Sequence, residues 1–116
     1  MSEKNNWKNL QQGDIILLNL NPTKGHEQRG ERPCIVLTKD NHLLGGLVGI
    51  APITTNNKVF PLHIPLSEGM KTSGKVLLDQ HKMLDVESRG YQYFETAPEN
   101  LVAKCVAILK LLYGMK

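Results

Sequence analysis

From Asn21 to Pro33 the chain reads Asn-Pro-Thr-Lys-Gly-His-Glu-Gln-Arg-Gly-Glu-Arg-Pro, a stretch with no apolar side chain except proline. Arg29 and Arg32 offer planar forks suited to phosphate, and Lys24 adds a compact point charge. Glu27 is an acceptor that can serve as a general base when neighbouring guanidiniums hold it in place. Gly25 and Gly30 allow backbone close to a ligand. Thr54, at the end of a later apolar run, can donate a hydroxyl bond to a phosphate oxygen. This set suits phosphodiester transesterification: a base for a 2′-hydroxyl, cations for the developing phosphorane charge, and a donor for the leaving oxygen. No metal is needed, because the nucleophile comes from the RNA itself. The competing reading is a solvated hairpin loop whose charges form surface ion pairs.

Four histidines raise a rival, a two-histidine mechanism. Only His26 lies in the polar cluster. His42 falls in a turn, His63 on the polar face of an edge strand and His81 just after a strand, where isolated histidines are usually surface residues. GxGxxG, P-loop, GxSxG and HExxH patterns are absent. Few aromatics are available to stack bases, so single-strand binding must lean on phosphate contacts and polar loops. Trp7, Phe60, Tyr91, Tyr93 and Phe94 are expected in or near the core.

The elements that must hold these groups follow from periodicity. Ile15 to Leu20 and Cys34 to Leu37 are apolar on both faces, as central strands are, and they flank the polar loop. Pro33 has no N–H and belongs at a strand's first residue. Leu47 to Ile53 reads as a third strand. Phe60, Leu62, Ile64 and Leu66 alternate with Pro61, His63 and Pro65, which predicts an edge strand, and Lys75 to Gln80 predicts another. Glu68 to Gly74 is a loop. Thr96 to Glu99 fits a capping box, after which Leu101, Val102, Cys105, Val106, Ile108, Leu109, Leu112 and Tyr113 recur at helical spacing until Gly114. Leu111 falls on the solvent side. The result is a small α+β domain, an antiparallel, strongly bent sheet or partly open barrel with a C-terminal helix.

With 116 residues, one domain over 1–116 is expected, burying about two thirds of its unfolded surface. Residues 1–12 read as a flexible N-terminal extension, with Trp7 and Leu10 packed against the domain edge. Cys34 and Cys105 sit in apolar runs, which favours buried, reduced thiols in a cytoplasmic protein. No signal peptide or membrane-spanning run is present. A formal charge of +3 permits a polyanionic partner without establishing one.

Gly13-Asp14-Ile15 followed by Asn21 to Pro33 closely resembles the opening of the MazF/PemK family of toxins. The likeness continues through Cys34 to Leu37, Ala51-Pro52-Ile53-Thr54-Thr55, Phe60-Pro61-Leu62 and Leu78-Asp79-Gln80. The loop pattern E-Q-x-G-x-R-P followed by I-T-T is specific. The resemblance implies an SH3-like barrel with a C-terminal helix, a homodimer, and a metal- and ribosome-independent endoribonuclease without cofactor. Such enzymes cleave single-stranded RNA, chiefly messenger RNA, leaving a 2′,3′-cyclic phosphate and a 5′-hydroxyl. The implied partner is a cognate MazE-like antitoxin whose acidic segment fills the RNA groove. DNA is reached only through that complex, and no membrane is involved.

Carried over residue by residue, the family's arginine falls on Arg32, its threonine on Thr54 and its loop glutamate on Glu27. A guanidinium with a pKa above about 12 does not serve as a base, so Arg32 is assigned to phosphorane stabilisation and Glu27 to the base. RNA contacts are assigned to Thr23, Lys24, Gly25, His26, Gln28, Arg29, Thr55, Lys58 and Gln80. His26 and Arg29 occupy variable family positions. The alternatives are a CcdB-like gyrase poison, whose C-terminal pattern Tyr113-Gly114-Met115-Lys116 only faintly echoes, and an inactive antitoxin-binding relative.

Overall fold

The computed structural model describes residues 3–21, 30–43, 45–56 and 58–114. Seven strands are formed among them: β1 (Asp14–Asn19), β2 (Glu31–Val36), β3 (Leu47–Thr54), β4 (His63–Pro65), β5 (Lys75–Leu77), β6 (Lys82–Asp85) and β7 (Tyr91–Thr96). A one-turn helix, α1 (Val86–Arg89), precedes β7, and α2 (Glu99–Leu112) closes the described chain. The strand order is β4-β5-β3-β2-β1-β7, with β6 also on β3, and every pairing is antiparallel. Along the edge away from β2, β3 holds β6 through Leu47 to Ile50 and then β5 through Ile53 and Thr54. The sheet therefore bends at β3, and it stays open, ending at β4 and β7.

The central strands are apolar on both faces because both faces are covered. Side chains alternate at period two. Ile15, Ile35, Ala51, Ile53, Ile64 and Val76 pack on one side with Leu101 and Cys105 of α2. Ile16, Leu18, Cys34, Val36, Val48 and Ile50 pack on the other with Leu10 and Val86, and with Trp7, Leu84 and Tyr91 at the margin. The two cysteines thus lie in different clusters, both as free thiols. Burial pushes Cys34 up to about 12 and Cys105 up to about 11, so both are inert thiols rather than nucleophiles.

Several expectations need correction. Glu3–Asn5 and Trp7–Asn9 form 3-10 turns laid on the sheet instead of a frayed extension. Leu10 is buried, Tyr91 donates its hydroxyl to the Lys4 carbonyl, and Trp7 Nε1 donates to Glu87. Lys4 Nζ lies 2.9 Å from Asp14 Oδ2. Asp14, fully buried, also accepts from Gln11 N and Thr96 Oγ1; such a carboxylate is tolerable only with this many donors.

Thr96 ends β7 instead of capping α2, whose N-cap is Pro98 with no side-chain hydrogen bond. The predicted Phe60–Leu66 strand shrinks to β4, still at the sheet edge, because Pro61 and Pro65 limit pairing. Past Leu77 the expected strand gives way to a 3-10 turn, Leu78–Gln80. Phe60 and Phe94 are exposed and Tyr91 and Tyr93 half-buried, so the aromatics contribute less to the core than expected. Leu111 is exposed, as its place on the helical wheel requires.

Candidate active site

Register assembles the site. β2 and β3 pair Val36 with Ile50, Ile35 with Ala51 and Cys34 with Pro52. The ladder ends there, and Arg32 and Thr54 each lie two residues beyond its last pair, on β2 and β3 respectively. On the other edge of β3, Thr54 pairs with Lys75. Thr54 and Lys75 are thus direct neighbours, and Arg32 stands at the same end of β2, so the three form a row across β2, β3 and β5 by strand alternation from the last β2–β3 pair. They share a face, since residues opposite one another in a sheet point to the same side. Arg32 is half-buried, beside Leu18 of β1.

Thr54 is held from two directions. Its Oγ1 accepts from Asn56 N at 3.2 Å, a bond that leaves the hydroxyl proton available to another acceptor. Its carbonyl is approached by Gly74, where a Cβ would fall 2.2 Å from Thr54 O and where φ is +120°. Only glycine accepts both conditions. The loop bearing Gly74 is fastened to β7 by Glu95, which accepts from Lys71 N at 3.0 Å and from both Thr72 N and Thr72 Oγ1 at 2.6 Å. Burial alone would raise the Glu95 carboxyl pKa, but the bonds from Thr72 and Lys71, with the Lys71 charge, outweigh it and hold it below the ordinary value.

The root of the polar loop is equally defined. Leu20 N donates to Gly30 O at 2.9 Å, and Gly30, at φ +73°, donates its N–H to Asn21 Oδ1 at 3.1 Å. Arg89 Nη1 donates to the carbonyls of Asn19 and Asn21 at 2.9 and 2.7 Å, pinning the point where the chain leaves β1. Thr23, Lys24, Gly25, His26, Glu27, Gln28 and Arg29 lie outside the described residues.

Of the remaining predicted contacts, Thr55 and Lys58 are exposed just beyond Thr54. Lys58 N donates to Asn56 Oδ1, and Lys58 O accepts from Lys75 Nζ at 3.0 Å. Gln80 is half-buried on the turn after β5. His63 is not the surface residue expected: its side chain is 11% exposed, with Nε2 3.3 Å from Asp79 Oδ1 and the Phe60 ring beside it. His81 gives its Nδ1 proton to Leu78 O, so Nε2 accepts from the Tyr113 hydroxyl. Lys75 and Arg89 were missed. A single cation in a three-residue strand or a one-turn helix carries no periodic signal.

The fold and site define a small protein that presents cations and a hydroxyl at one end of an open, bent antiparallel sheet backed by a C-terminal helix. The chain belongs to the PemK-like, MazF-like toxins of type II toxin-antitoxin systems, whose family pattern matches residues 11–113. It is similar to the endoribonuclease toxin MazF of Escherichia coli (strain K12), 39% identical over 93 residues that span 77% of this chain and 81% of the relative. The crystal structure of MazF from Deinococcus radiodurans matches with a TM-score of 0.84 at 34% identity, covering 91% of this chain and 97% of that one. A MazE-MazF structure from the same organism matches with a TM-score of 0.78 at 29% identity, covering 92% and 97%.

Proposed function

We propose that this chain, an endoribonuclease by family, cuts single-stranded RNA, chiefly messenger RNA, at short sequence motifs by transesterification. In the reaction a 2′-oxygen attacks the adjacent phosphorus as its proton passes to a base, assigned to Glu27. The bond from phosphorus to the 5′-oxygen breaks, and that oxygen takes up a proton from water to leave as a 5′-hydroxyl, with a 2′,3′-cyclic phosphate behind it. Arg32 stabilises the negative charge of the phosphorane, and the Thr54 hydroxyl bonds a phosphate oxygen. The supporting observation is the β2–β3 pairing, whose last pair, Cys34–Pro52, lies two residues from both Arg32 and Thr54 and brings them to one end of the sheet. Neither ribosome nor metal takes part. The protein acts as a homodimer in the cytoplasm, arrests translation, and is neutralised by an antitoxin of the MazE kind whose acidic segment covers the same row.

Incubating the purified protein with naked RNA in EDTA tests this reading: cuts at one short motif with cyclic phosphate ends are expected, and intact RNA would overturn it. Replacing Arg32 by Ala is expected to lower the cleavage rate by about a hundred- to a thousand-fold, as for other preorganised charge stabilisers. Wild-type turnover by that variant would remove Arg32 from the mechanism.

A further inference from the structure

We propose that Lys75 is a phosphate-contacting residue of the RNA site, standing on the side of Thr54 opposite Arg32. The inference rests on the nuclease reading above and adds a residue that neither the polar loop nor the threonine motif contains. Lys75 is the direct antiparallel partner of Thr54, so their Cβ atoms stand about 5 Å apart on one face. Arg32 lies on the other side of Thr54, on β2, two residues beyond the last β2–β3 pair, Cys34–Pro52. A phosphate bonded by the Thr54 hydroxyl is thus bracketed by a guanidinium and an ammonium, and a chain crossing the row meets its next phosphate within reach of Lys75.

The half-buried Lys75 is aimed rather than free to sweep the solvent. Its Nζ donates to the carbonyl of Lys58 at 3.0 Å, which holds it over the Thr54–Phe60 segment. An ammonium has three donors, so this bond leaves two for phosphate oxygens. The backbone beneath it is close-packed, because Gly74, the preceding residue, lies against the Thr54 carbonyl. Among the described residues no acidic side chain pairs with Lys75, and its ammonium donates to a neutral carbonyl.

The test uses the full-length protein and a single-stranded RNA copy of a mapped cut site, with a 2′-deoxy sugar at the cleaved position. Affinity is measured from low to moderate salt for wild type, Lys75→Met and Lys75→Arg. Each phosphate contact to a single strand contributes about 0.7 to the slope of log affinity against log salt. Lys75→Met is expected to bind roughly three- to tenfold more weakly at moderate salt and to lose about 0.7 of that slope, while Lys75→Arg restores it. Weaker binding with an unchanged slope would mean that Lys75 only secures the Lys58 carbonyl, and the proposal would fall. Unchanged binding would overturn it as well. Failure of the wild type to cleave or bind RNA would instead overturn the nuclease reading.

Discussion

Gly74 sets the limits on Thr54. A methyl group there would sit 2.2 Å from the Thr54 carbonyl oxygen, with a backbone conformation that side chains other than hydrogen rarely adopt. Gly74→Ala must either push β5 off β3 or rotate Thr54, and with it the hydroxyl proposed to bond the phosphate. We expect a loss of about 1–3 kcal/mol in stability and a drop in cleavage rate larger than that of a Gly69→Ala control, where a Cβ meets nothing within 4 Å. Urea melts and single-turnover cleavage measure the two effects separately. Arg32 and Thr54 announced themselves by residue type in the sequence. The demand for glycine at position 74 did not, because it arises from a backbone neighbour twenty residues away in the chain.

The segment between β4 and β5 is an element without regular structure, held by one carboxylate. Glu95 collects three hydrogen bonds from Lys71 and Thr72, and its folded pKa is depressed below the ordinary 4.5. The unfolded chain binds this proton more readily than the folded one, so the contribution is complete above the unfolded pKa and is lost as pH falls through the folded value. Urea midpoints followed from pH 7 down to the acid range are expected to fall less steeply for Glu95→Gln than for wild type. Parallel profiles would show that Glu95 holds nothing. Asp85, which caps α1 through Ser88 N and Oγ, is depressed in the same direction and remains in both proteins, so the difference reports Glu95. Of the elements themselves, β1, β2, β3 and α2 were legible because each carries a long apolar period. The strand β7 was not: its burial alternates between half-buried and exposed, too weak a contrast to be read without its partner β1.

At the scale of the whole molecule, residues 3–10 precede the span matched by the family pattern and complete the core on the face away from α2. Leu10 is buried within that cluster, a burial worth about 1.5–3 kcal/mol, and Lys4 supplies one of the donors to the buried Asp14. Removing residues 1–10 is expected to lower the unfolding free energy by at least the Leu10 contribution. Cleavage per folded molecule at low temperature should be kept, since the row of Arg32, Thr54 and Lys75 lies at the β2–β3–β5 end of the sheet. An unchanged melting curve would show that the segment is dispensable to the fold. The sequence by itself determined the two-faced apolar strands, the C-terminal helix, and the arginine and threonine as the groups able to do phosphate chemistry. Those follow from side-chain type and periodicity, which are local properties. Only the tertiary structure decided that Thr54 stands beside Lys75, that Arg89 pins the loop root and that the N-terminal turns close the second core. Each depends on register between distant segments. The apolar pattern settles which face a residue takes, and only pairing settles which neighbour it meets.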